Sequence, residues 1–580
     1  MTLRYLLVLA IALLGAAGHA AERLDYRLRW LPHAAPARLQ AELRWRGDAS
    51  GRTVLRLPDE WAAARGYADD LIDLRVQGAT LEPGATPHER VLRHRPGAPL
   101  RLSWQIEPRD PSPTGPAALY RNHVTPRYFH VFGHGVWIVP QALAGDDARI
   151  DWSVRIEAPA GTSLVTSHGT NHAGRIVAAR RGVPFETLRH TLMAGGDFRV
   201  LTGQAGGQPL TVALLGPRPF DVQALASRVQ AIVAAQRAHW RSAPAGDRLA
   251  VTLIPNGLAR GSLGGTMVES AFAMAASDDL QLDDPRFAHL IAHEHMHRWV
   301  PAAFGALRRD EALDYWFSEG FTDHLAHRTL VAAGLWSLQD YAQAMNRRNA
   351  EWLVSPAREA DNARVAAGFF GDAELQRLPY LRGEWLALHW HAGLDPAHGG
   401  LDALLRGLAR ASAGPAALAT DRLLAALDAP LHGAARAELE RYVTQGTMVD
   451  FDAQHLGPCF DSHAEPLRVF EAGADRAGLL ERKRVEQLVA DSALARAGAQ
   501  EGDRVLALDL LRDPEREASM SVERGDGSRH VLRWLPAREL PGRSRPVYTV
   551  RAGAAADPAC RAWFGVARFS TATPRRPAAS

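Results

Sequence analysis

Apolar and polar residues alternate through Leu39-Gln40-Ala41-Glu42-Leu43-Arg44-Trp45 and again through Val154-Arg155-Ile156-Glu157-Ala158. A period of two marks strands with one buried face. Breaks rich in proline and glycine, such as Asp110-Pro111-Ser112-Pro113-Thr114-Gly115-Pro116, separate such runs. Residues 22–215 therefore read as a β-sandwich-like domain. Beyond Pro217 the period lengthens. Phe220–Trp240 reads as one helix, Leu249–Ile254 as a strand closed by Pro255, and Leu338–Tyr442 as a set of amphipathic helices. Residues 217–450 thus form a second, mostly helical domain. Ser519–Trp534 reads as a hairpin with Gly525-Asp526-Gly527 at its tip, inside a third region over 465–540. Residues 541–580 read as an extension with a disordered tail. The expected class is multidomain α+β.

One helix carries chemistry. Asp284 is a good N-cap, Pro285 suits the first helical position, and Phe287, Leu290 and Ile291 form an apolar stripe that Pro301 terminates. Its last turns read His293-Glu294-His295-Met296-His297. Residues four apart lie one above the other on a helix, so His293 and His297 can converge on one Zn²⁺. Glu294 stands beside that point, where a general base would activate a water.

A zinc site needs a further ligand. Trp316-Phe317-Ser318-Glu319-Gly320-Phe321-Thr322-Asp323 follows downstream. Its aromatic residues suggest burial, and a buried carboxylate needs a partner. Glu319 is the expected third ligand, leaving a fourth position open. Asp323, one turn on, either orients a ligand histidine or is a plain surface acid.

These stretches, from Leu290 to Trp299 and from Trp316 to Thr322, resemble the gluzincin metallopeptidases and within them the glycyl aminopeptidase family. Pro301-Ala302-Ala303 and Tyr380-Leu381-Arg382-Gly383 add to the likeness. The resemblance implies a thermolysin-like catalytic domain over 217–450 and one Zn²⁺ per chain. It also implies a Tyr380 hydroxyl that donates to the oxyanion; the alternative for Tyr380 is a tyrosine of the core or pocket rim. Gly264-Gly265-Thr266-Met267-Val268-Glu269-Ser270 stands where the family has an edge strand that binds extended substrate, with a glutamate for the free amine. Gly264 and Gly265 would let that backbone approach the substrate, and the amine-binding glutamate is displaced to Glu269 or missing. Arg382 replaces the family's lysine, and the spacer between His297 and Glu319 is short for it. Leu488–Leu508 resembles a PDZ domain, with Gly478-Leu479-Leu480 as a loop for a peptide C-terminus. That module either binds peptides or serves interdomain packing.

Composition narrows the setting. Hydrophobic content is 47%, charged content 23% and net charge +3. Lys483 is the sole lysine, and no basic run points to nucleic acid. Met1–Ala20 reads as an export signal: a short basic start, an apolar run from Tyr5 to Leu14, and small residues up to Ala20. No later segment is apolar enough to span a bilayer. The expected location is exported, periplasmic if the source is a Gram-negative bacterium. Cys459 and Cys560 either form one disulfide or remain buried thiols. The expected activity is that of a zinc aminopeptidase acting on peptides or unfolded protein and removing small N-terminal residues. A zinc endopeptidase and a non-catalytic PDZ-type peptide binder are the alternatives.

Overall fold

The computed structural model describes residues 22–569, apart from 63, 116–117, 146, 242–247, 259–260, 396–398, 412–416 and 451. The expected signal over 1–20 and the tail from 570 lie outside the described residues. The chain divides into two compact units, one ending at Arg298 and the other beginning at Trp299.

The first unit opens with strands whose alternation is written in the sequence. Leu39, Ala41, Leu43 and Trp45 are all buried along the strand Arg38–Arg46. That strand pairs with Glu22–Leu31 and with Pro99–Ile106 inside a six-stranded sheet. A five-stranded and a four-stranded sheet complete the β-rich part. Their shared core includes Trp30, Trp104, Trp137 and Trp152.

Beyond it lies a second five-stranded sheet of β1 (Arg199–Ala205), β2 (Gln208–Leu214), β3 (Leu249–Pro255), β4 (Leu263–Val268) and β5 (Ala271–Ala276), in the order β1-β2-β3-β5-β4. The helix α1 (Val222–Trp240) connects β2 to β3, which run parallel. A parallel pair needs such a crossover. Here the structure departs from the expected boundary at 215. β1 and β2 pattern like the strands before them, yet β2 pairs with β3 on the far side of α1 and carries β1 into the same sheet. The helix α2 (Pro285–Met296) follows the sheet.

The second unit is helical up to residue 456. It includes α3 (Gly320–Ala332), α4 (Leu338–Val354), α5 (Ala373–Gly393) and α6 (Gly400–Arg410). Among the described residues, no helix is long and apolar enough to cross a membrane. The strand Phe460–Phe470 then pairs with Ala537–Val550. The expected boundary at 540 falls inside that second strand, so residues 541–563 are part of the fold. The local signal failed because this strand holds Pro541, Gly542 and Pro546, residues that usually interrupt strands. Between the two strands, Ser519–Trp534 is a hairpin of Ala518–Glu523 with Arg529–Trp534, and Arg504–Asp509 extends it to three strands. With the one-turn helix Ala493–Arg496 it encloses its own core of Leu479, Val485, Leu494, Met520 and Trp534.

Cys459 and Cys560 form a disulfide across 101 positions. Closing a loop of that length stabilises the fold by about 4–5 kcal/mol in the chain-entropy treatment.

His130 is fully buried, and its Nε2 lies 3.0 Å from the Thr252 hydroxyl. Burial, with His123 beside it, pushes its pKa down to about 3. The unfolded histidine titrates near about 6.5. Between those values the unfolded chain binds the extra proton, so stability rises with pH and is lost as pH falls from about 6.5 toward 3. His130→Gln should therefore flatten the pH dependence of unfolding free energy between about pH 6 and 4, by up to about 1.4 kcal/mol per pH unit. Urea denaturation across that range checks it.

Candidate active site

The helix α2 starts as its sequence dictates. Asp284 caps it by accepting from the Arg286 N–H at 2.9 Å, and Pro285 takes the first position. Phe287, Ala288, Ile291 and Ala292 face the core. The helix ends at Met296, and His297 is its C-cap. His297 keeps helical angles of φ −58° and ψ −14°, so its stacking on His293 survives. The two Nε2 atoms are 3.1 Å apart, with ring planes at 87°. Tetrahedral zinc with bonds of about 2.0–2.1 Å holds its donors about 3.3 Å apart. The histidine pair thus already has nearly the spacing a shared zinc requires.

The middle histidine has a different job. His295 is 1% exposed and falls on the stripe of Ala288 and Ile291. Its Nδ1–H donates to Gln236 Oε1 at 2.6 Å, and Gln236 Nε2 donates to the Ala292 carbonyl at 2.6 Å. Burial pushes His295 down to about 3, so the ring is neutral. Trp240 adds a contact to the Met296 sulfur at 3.1 Å. The helix α1 therefore fixes the height and rotation of α2. Gln236 carried no sequence signal, because a lone amide on an amphipathic helix reads as surface.

Glu294 is half-buried next to Tyr120, whose hydroxyl is pushed up to about 12 by burial and further by the Glu294 charge. Trp61 meets Tyr120 edge-on at 5.4 Å and lies flat on His134 at 4.4 Å. His134 Nε2 is 3.0 Å from His190 Nδ1, and the His190 ring donates to the backbone carbonyl of Met267. The β-rich part thus supplies an aromatic and histidine wall running from Glu294 to β4, which the sequence did not reveal.

The strand β4 is the sheet edge, antiparallel to β5. The two expected glycines differ. A Cβ on Gly264 would meet nothing within 4 Å, whereas one on Gly265 would sit 2.6 Å from Phe272 and 3.3 Å from Leu290 of α2. Gly264 leaves space above the strand; Gly265 permits close packing beneath it. Glu269 stands past the strand in the turn to β5, at φ +34°, with its carboxylate 3.4 Å from Arg180.

In the second unit, Glu319 joins the short helix Tyr315–Ser318 to α3 and is half-buried. Trp316, Phe317 and Phe321 around it are buried. Asp323 is 1% exposed and ion-paired with Arg348, which rules out the surface-acid alternative. Arg348 also pairs with Glu384, and Glu384 holds His327 at 2.5 Å. Tyr380 is half-buried on α5, with Arg377 over its ring at 5.6 Å, and its carbonyl accepts from Arg348 at 3.1 Å. Arg382 is buried and donates to the Ala360 carbonyl at 2.6 Å. A Cβ on Gly383 would lie 1.8 Å from the Trp316 carbonyl, and one on Gly320 would lie 2.3 Å from Gly383 Cα. These glycines let α5 cross the Glu319 segment at backbone contact.

No protein-family model and no curated protein matches the sequence. Solved structures match in fold. An aminopeptidase N family protein from Idiomarina loihiensis aligns over 91% of this chain and 98% of its own, with a TM-score of 0.64 at 14% identity. An M1 zinc metallopeptidase from Deinococcus radiodurans aligns over 74% of this chain and 95% of its own, with a TM-score of 0.48 at 18% identity. Yeast LTA4 hydrolase in complex with bestatin aligns over 75% and 69%, with a TM-score of 0.48 at 14% identity. The first of these likenesses establishes the fold as that of the aminopeptidase N family protein.

Gly383→Ala should destabilise the second unit by at least about 2 kcal/mol, since backbone must move to admit the methyl group. Chemical denaturation of the variant measures it.

Proposed function

We propose that this chain is an exported zinc aminopeptidase that removes small N-terminal residues from peptides, with one catalytic zinc held by His293, His297 and Glu319. The observation that carries this reading is the 3.1 Å approach of the two Nε2 atoms, with Glu294 beside them on the same helix. Two imidazoles and a carboxylate form a donor set suited to zinc. Bound there, zinc would supply Lewis-acid polarisation of the scissile carbonyl and lower the pKa of a water.

The chain's own groups do the rest. Glu294 takes the proton of the attacking water and hands it to the leaving amine. The Tyr380 hydroxyl donates to the developing oxyanion. Asp323, locked by Arg348, positions a ligand histidine. The β4 edge pairs with an extended substrate, and the open space over Gly264 admits that backbone. The segment 465–540 acts as a PDZ-like module, taking a peptide C-terminus on Gly478-Leu479-Leu480. The periplasm is the setting if the source is a Gram-negative bacterium.

One observation favours the endopeptidase reading. Glu269, the carboxylate expected to hold a free amine, is in a turn and paired with Arg180. Comparing a peptide with its N-acetylated form separates the readings. Cleavage of the free peptide alone supports the aminopeptidase, and equal cleavage of both refutes it.

Glu294→Gln should keep zinc and lower kcat by about 10²–10⁴-fold. Peptide hydrolysis near the wild-type rate would remove Glu294 from the mechanism. His297→Ala should lose both activity and the catalytic zinc. Metal analysis and a peptidase assay on the two variants report these outcomes.

A further inference from the structure

Three side chains meet in the interior of the second unit, apart from the residues given catalytic roles. His324 on α3, His391 on α5 and Asp402 on α6 place one potential ligand atom each within 4.8 Å of the others. All three are buried, His324 at 1% and His391 at 3% exposure. Neither ring nitrogen of His324, nor Nδ1 of His391, has a hydrogen-bond partner among the described residues. Buried ring nitrogens are normally satisfied, so the one lone pair of neutral His324 and that of His391 call for a partner. The His391 ring donates to the Trp563 backbone carbonyl, which leaves Nδ1 as a bare acceptor. A histidine fixed in that way, with one nitrogen donating to a carbonyl and the other presenting a lone pair, is set up as a metal ligand.

We propose that His324, His391 and Asp402 form a second, structural metal site that takes Zn²⁺ or a similar borderline divalent cation. Two imidazoles and one carboxylate suit such a metal better than calcium or magnesium, which prefer all-oxygen sites. Zinc donors stand about 3.3 Å apart, so side-chain shifts of about an ångström close the cluster. Asp402, which also pairs with Arg328, supplies the one anionic ligand of the cluster. Burial keeps His324 and His391 neutral. The role is structural because the site is closed to solvent: it ties α3, α5 and α6 together and has no room for substrate.

The test uses the full chain carrying His293→Ala and His297→Ala, so that its outcome does not depend on the catalytic reading. This variant is expressed with zinc, dialysed against a chelator and analysed for metal. About one zinc per chain should remain, and it should be lost when Asp402→Asn or His391→Gln is added. Cobalt supplied in place of zinc should give d–d absorption without thiolate charge transfer. Absence of metal from the double variant would overturn the proposal. So would zinc that survives both added substitutions, which would place it at another cluster, such as His134, Glu186 and His190. If Asp402→Asn fails to fold, His391→Gln in the same background decides.

Discussion

The Gln236 amide is the contact on which the geometry of α2 depends. Its Oε1 accepts a hydrogen bond from His295 Nδ1–H and its Nε2 donates to the Ala292 carbonyl, so one side chain bonds both a side chain and the backbone of the helix that carries His293 and His297. All of these groups are buried, where an unmet polar atom costs about 1–3 kcal/mol. Rotating α2 by even part of a turn would break both bonds at once. The 3.1 Å approach of the two outward histidines is therefore underwritten from behind, by a histidine that never faces the site.

In the second unit the corresponding constraint is steric. Gly320 and Gly383 remove the side chains where α5 crosses the Glu319 segment. Contact at backbone distance then brings buried charges together, and the Asp323–Arg348–Glu384–His327 chain satisfies them in a place where none could be left alone. Asp323 is locked for the same reason that it is buried.

Elements with their own periodicity were legible in the sequence. The strand Arg38–Arg46, the helix Val222–Trp240 and the hairpin ending at Trp534 follow from local pattern and turn chemistry. The capped α2 and its pair of histidines follow from spacing alone. What sequence could not show depends on partners far along the chain. Strands β1 and β2 look like their neighbours but join another sheet, and Ala537–Val550 hides behind its prolines and glycine. Gln236, Trp61 and Tyr120 have no local mark, because their roles exist only once α2, β4 and the β-rich part are packed. Gly383 was visible as part of a resembling segment, while its reason, the carbonyl of Trp316, was not.

The Arg328 guanidinium has a consequence for how the second unit is made. Its Nη2 is held by Asp402 and by the carbonyl of Trp563, 235 residues further on. Trp563 ends the short helix that carries Cys560, whose disulfide partner Cys459 precedes the first long strand of the unit. At a synthesis rate of about 5–20 residues per second, Arg328 waits about 10–50 s for that carbonyl. Until then the Trp563 acceptor for Arg328 is missing. The Arg328 contact therefore closes only after the stapled helix has been made, and not when α3 itself forms.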